Sequence, residues 1–149
     1  MTRCKWCNLD NPLYVEYHDK EWGIPNFNDN YLFEMLILES FQAGLSWKCV
    51  LNKREAFRNA YDNFIIDKII KYDENKVNDL LLNEKIIRNK LKIKASINNA
   101  KIFKSIQDEY VSFCELKIWY FNDKYIKVIW RCNNKFKNKE KCKTLHVTE

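Results

Sequence analysis

Glycine and proline are almost missing from this chain. Its 149 residues hold two of each, and all four (Pro12, Gly23, Pro25, Gly44) stand before residue 45. A β-sandwich or barrel needs tight turns at short intervals, which so few turn-forming residues cannot supply, so the composition favours helices. Long apolar runs are missing as well. No stretch approaches the ~20 consecutive apolar residues of a membrane helix, and the first residues lack a charged-then-apolar signal pattern. These absences predict a cytoplasmic protein with no membrane partner. Acidic residues number 20 against 26 Lys and Arg, for a formal charge of +6. A polyanionic partner is compatible with that balance, but a Lys-rich surface does not by itself require one.

What the chain does have is apolar material. Hydrophobic residues make up 46% and aromatics 15%, enough for one continuous core in a domain of ordinary size. Six cysteines (Cys4, Cys7, Cys49, Cys114, Cys132, Cys142) occur without a secretory signal. That context favours free or metal-bound thiols over disulfides, and Cys49 and Cys114, set among apolar residues, read as buried thiols.

Residues 1–29 form an irregular, aromatic-rich arm with a short helix expected near 12–18. Asp29 or Asn28 can cap a helix over 30–43, Gly44 suits its end, and Ser46 can cap a second helix over 47–61. Shorter helices are expected near 66–71, 74–82 and 83–90. A longer one spans 92–107, with Ile93, Ile97, Ala100 and Ile106 on one side, and a further apolar segment covers 110–121. Residues 1–127 read as one helical domain and 128–149 as a basic tail. Within that tail, RCNNKFKNKEKCK (131–143) has one aromatic and no aliphatic residue, too little apolar surface to offset its ordering entropy.

Glu39, inside LFEMLILESFQAGLSW, shares a helical face with Leu32, Met35, Leu36 and Ala43. A carboxylate on an apolar face is either a site group or a rim carboxylate paired with a Lys or Arg of another helix. Trp6, Tyr14, Tyr17 and Trp22 crowd the arm, and Trp47 follows the Glu39 helix. Such aromatics are core plugs or the walls of a stacking pocket, and an aromatic box with one carboxylate suits a planar cation. Taken by itself, His18 reads as a hydrogen-bonded surface histidine.

Several ordered blocks carry a family resemblance. RCKW from Arg3, DNPLYVEYHDKEWG from Asp10, LFEML from Leu32, LE at 38–39, QAGLSW from Gln42, IIRNKLKI from Ile86 and NA at 99–100 resemble the signature blocks of the DNA-3-methyladenine glycosylase I family. That family belongs to the all-α helix-hairpin-helix glycosylase superfamily. The resemblance implies an enzyme that flips an alkylated base out of duplex DNA and hydrolyses its N-glycosidic bond. Glu39 would be the catalytic group and accept hydrogen bonds from the base edge. Tyr17 and Trp47 would bound the base pocket, and Trp6, Tyr14 and Trp22 would complete its aromatic surround. The implied partners are double-stranded DNA containing alkylated bases and free 3-methyladenine, bound by a monomer. The family's structural zinc would take Cys4 and His18. Its other two ligands have no match in order, the tail offering Cys142-x3-His146 reversed and Cys7 standing as another thiolate.

The blocks cover about residues 1–125, and no family pattern follows Lys124. No glycine follows Gly44, so the family's glycine-containing hairpin, whose amides hold DNA phosphate, is expected to be lacking. Two alternative functions stay open: a non-catalytic modified-base-binding domain or inactive truncated homologue, and a zinc-knuckle interaction module using Cys4, Cys7, Cys132 and Cys142.

Overall fold

Capping residues set where the helices begin. In this computed structural model, which describes residues 3–110, 112 and 113, Asn11 Oδ1 accepts from the Leu13 and Tyr14 amides. That cap opens α1 (Pro12–Lys20), with Pro12 at the first helical position, where its missing N–H costs nothing. Asn28 Oδ1 accepts from the Tyr31 amide at 3.0 Å to open α2 (Asp29–Gln42). Ser46 Oγ accepts from the Cys49 amide at 3.2 Å to open α3 (Trp47–Asn52). Each cap supplies an acceptor to amides that no preceding turn can satisfy. Gly44, between α2 and α3, is left-handed at φ 81°, a geometry that a Cβ would penalise.

The helix expected over 47–61 is two helices, α3 and α4 (Arg54–Ala60), broken at Lys53. No glycine or proline marks that break, so the sequence pattern runs straight through it. A 3-10 turn (Asp62–Phe64), in which all three residues take positive φ, leads into α5 (Ile66–Ile69). The left-handed turn tucks Phe64 into the core, stacked on Tyr61 at 5.6 Å. Asp73 caps α6 (Glu74–Leu82), which has the bounds that periodicity predicts. Residues 83–89 are turns rather than the expected helix. There Asn83 and Asn89 bond the amides of Lys85 and Lys92, which favours turn and cap geometry over helix interior. Asn89 thereby starts α7 (Lys90–Tyr110).

The chain divides into two compact units, one reaching to Pro25 and one beginning at Asn26. The second holds the main core: Phe33, Ile37, Leu38 and Phe41 of α2 meet residues of α3 to α6 and Ile93, Ile97, Ala100 and Phe103 of α7. Phe103 takes the place expected for Ile106, which is only half-buried, because the 3.6-residue turn brings 103 back beneath 93 and 100. Cys49, expected to be buried, is half-buried on α3. Within this unit α2 and α7 run antiparallel. Asp29 at the start of α2 accepts from Gln107 Nε2 (2.7 Å) and the Phe113 amide (3.0 Å). At the other end Lys92, in the first turn of α7, bonds the last carbonyls of α2.

No helix among the described residues is long and apolar enough to cross a membrane. Cys114, Cys132, most of the 110–121 segment and the expected 128–149 tail lie outside the described residues.

Candidate functional site

The first unit is organised around His18. Its imidazole is fully buried on α1, between Trp22, which stacks on it at 5.6 Å and 19°, and Trp6 at 5.1 Å. Trp6 also meets Tyr14 (5.8 Å) and Trp22 (4.9 Å) edge-on. Three of the four arm aromatics singled out from sequence thus form one cluster, and they enclose a histidine. Tyr17 lies on the same helix, half-buried, and its carbonyl accepts the amides of Glu21 and Trp22 that close α1.

Both ring nitrogens of His18 are committed. Nδ1–H donates to Asp19 Oδ1 at 2.9 Å, and Nε2 accepts from the Cys4 amide at 3.2 Å. An accepting Nε2 requires the neutral Nδ1–H tautomer. Arg3 completes the chain of contacts through Nε and Nη2, gripping the Asp19 carboxylate at 2.7 to 3.1 Å. That grip, with the His18 bond second, holds the Asp19 carboxyl well below the usual carboxylate range. Sequence reading missed Arg3 and Asp19 as a pair: sixteen positions apart, they carry no periodic signal.

A carboxylate on Nδ1 is also how proteins orient a histidine whose Nε2 faces a metal. The described residues fit a metal only in part: Cys4 and His18 adjoin and Asp19 sets the tautomer, but Nε2 accepts from the Cys4 amide, a bond that a metal on Nε2 would have to displace. No group of three or more metal-ligating side chains occurs among the described residues, and Cys142 and His146 lie outside them. Cys7 is buried, its Sγ 4.0 Å from the Tyr14 carbonyl.

The second unit carries Glu39 and Trp47. The core face of α2 is Phe33, Ile37, Leu38 and Phe41; of the stripe that bears Glu39, Leu32 packs against the edge of the core, Met35 is half-buried, and Leu36, Glu39 and Ala43 are exposed. Glu39 is exposed, a setting open to either of the two readings of it, site group or rim carboxylate. A helix this apolar offers two hydrophobic stripes, and periodicity cannot choose which faces inward. The carboxylate that is buried on α2 is Glu34, which the sequence reading passed over. It accepts from Arg54 Nε (2.7 Å), Arg58 Nε (2.8 Å) and Arg58 Nη2 (3.2 Å). Burial raises the pKa of Glu34, but the two guanidiniums outweigh it, and the carboxyl sits below its usual value. Glu34 therefore fastens α2 to α4 and leaves Glu39 as the open carboxylate of the helix. Trp47, in the first turn of α3, is half-buried against the core. Four intervening residues, Ala43 to Ser46, join the helices that bear Glu39 and Trp47. An exposed carboxylate accepts hydrogen bonds, and an indole face stacks on flat rings.

Comparison with known proteins gives this arrangement its context. The methyladenine glycosylase family matches residues 6–146, past residue 125 where the ordered blocks end. DNA-3-methyladenine glycosylase of Haemophilus influenzae is 40% identical over 120 residues, covering 80% of this chain and 64% of that protein. DNA-3-methyladenine glycosylase 1 of Escherichia coli is 41% identical over 121 residues, covering 81% and 64%. The chain thus spans 64% of the length of these curated relatives. A solved variant of 3-methyladenine DNA glycosylase I in complex with 3-methyladenine superposes with a TM-score of 0.77 at 32% identity, covering 82% of this chain and 65% of that one. With its ordered motif blocks placed on α1, α2, the Gly44 turn and α3, the chain belongs to the methyladenine glycosylase family.

Proposed function

We propose that this protein recognises 3-methyladenine in alkylated double-stranded DNA and hydrolyses its N-glycosidic bond, acting in the cytoplasm as a monomer. The observation that carries this reading is the family match over 6–146, with Glu39 and Trp47 set on two helices joined by one short turn. The target atom is inaccessible within the base stack, so the nucleotide must be flipped out before reaction. 3-Methyladenine still attached to deoxyribose is cationic and departs as a neutral base, so the protein's main task is selection and positioning. Glu39, acceptor-only when ionised, takes donors of the base edge and favours the cation electrostatically. Trp47, in the first turn of α3, offers the ring a stacking face.

The full chain incubated with alkylated duplex is expected to release 3-methyladenine and leave abasic sites, detected by chromatography of the free base. Binding of the base without any release would assign the alternative, a non-catalytic base-binding domain. Absence of both would remove the proposal.

A structural zinc held by Cys4 and His18, completed by ligands such as Cys142, His146 or Cys7, would use the tautomer that Asp19 imposes on His18 and replace the Cys4 amide on Nε2. Bound zinc would supply a crosslink that holds the arm and take no part in chemistry. Cys4→Ser is expected to lower metal content and thermal stability together, with free-base affinity unchanged. Elemental analysis of the purified full chain is the check. A folded wild type free of zinc would leave His18 a hydrogen-bonded core histidine.

A further inference from the structure

From Lys85 to Gln107 the chain holds seven basic residues and no acidic one, a run that invites assignment to DNA phosphates. Lys92 is committed elsewhere. Its ammonium crosses from α7 to the end of α2, donating to the Phe41 carbonyl at 2.9 Å and the Ala43 carbonyl at 2.6 Å. The last carbonyls of a helix have no intrahelical donor, and the negative end of the helix dipole adds to the attraction. The carbonyls it holds stand at the point where Ala43 leaves helical geometry and left-handed Gly44 turns the chain toward Ser46 and α3.

We propose that Lys92 is a positioning residue for base recognition: it fixes the turn that sets the Trp47 helix relative to the Glu39 helix, without touching the base. The proposal rests on the reading of Glu39 and Trp47 as base-contacting residues. Two carbonyls flanking Gln42 are tied to one ammonium, so the last turn of α2 cannot unwind or swing without losing both bonds. Asp29 holds the opposite end of α2 to the far end of α7, so with Lys92 both ends of α2 are tied to α7 and Lys92 is the tie at the turn. A change of turn geometry at residues 43–46 would separate acceptor from ring even with both side chains intact.

The chain carries an internal control. Lys53 makes the same kind of bond pair, to the Glu84 carbonyl at 3.4 Å and the Lys85 carbonyl at 3.0 Å, but holds the 83–89 turns rather than the 43–46 turn. Full-length Lys92→Met and Lys53→Met, which keep the apolar stem and lose the donors, are compared with wild type well below the unfolding temperature of each. Amide hydrogen exchange at Leu45, Cys49 and Val50 is read together with the affinity for free 3-methyladenine. Expected for Lys92→Met are exchange at least about tenfold faster at those amides and base affinity about tenfold weaker, both near wild type in Lys53→Met. Equal behaviour of the two variants would overturn the proposal and make Lys92 a general staple. If wild type binds no 3-methyladenine, the base-site reading falls by itself and the contrast in exchange decides the role of Lys92. Should Lys92→Met not fold, Lys92→Gln takes its place in the same comparison.

Discussion

Glu34→Gln is expected to lower folding stability by about 3 kcal/mol at pH 7, with a fall in Tm of roughly 10 °C. Glu34 and Arg54 are both buried, and Arg58 closes on the same carboxylate from the half-exposed side. Removing the charge leaves two guanidiniums facing a neutral amide, and Arg54 is largely shielded from water. Breaking one partner of a buried pair is costly for that reason, even where the intact pair contributes little net stability. The pH dependence follows from the depressed Glu34 pKa. A carboxyl that is more acidic in the folded than in the unfolded chain contributes stability that is fully present above its unfolded value, 4.5, and is lost as pH falls through the folded one. The gap between wild type and Glu34→Gln should therefore be widest at neutral pH and narrow below pH 4.5. Denaturant unfolding across that range measures it, and a loss under about 1 kcal/mol at pH 7 would mean that the network is solvated.

Glu39→Gln is expected to leave stability within about 0.5 kcal/mol of wild type, because the side chain is exposed. Its effect falls on the ligand. An ionised carboxylate offers acceptors only, whereas an amide of the same shape offers one acceptor group and one donor group. Hydrogen bonds to a charged partner contribute ~1.5–3 kcal/mol, so free-base affinity should weaken by roughly 30-fold. The contrast between the two variants would separate the roles of the α2 glutamates: lost stability in Glu34→Gln, lost base affinity in Glu39→Gln.

Most of the fold was legible in the sequence because the signals were local. Asn28, Ser46 and Gly44 mark the ends of α2 and α3 by side-chain and backbone chemistry that acts over three or four residues. Isoleucine and alanine spacing likewise marks the inner face of α7. What failed depended on distant contacts. The break at Lys53 coincides with a lysine that reaches across to the 84–85 carbonyls, about thirty positions away. The inner face of α2 was not legible, because its two stripes are nearly equal in hydrophobicity and it is Arg54 and Arg58 on α4 that mark Glu34 as the buried acid. The aromatic crowd of the arm was legible as a cluster. Its centre, His18 held by Asp19 and Arg3, was not, since the blocks contain all three residues but nothing in their spacing pairs Arg3 with Asp19 sixteen positions away.

Calorimetric titration of free 3-methyladenine into full-length wild type and Glu39→Gln tests base reading most directly, because it needs neither DNA nor turnover. Recognition through Glu39 requires saturable one-to-one binding by wild type, and binding roughly 30-fold weaker by a Glu39→Gln protein of unchanged helicity and Tm. Equal affinities in the two proteins, or no binding by wild type, would contradict it.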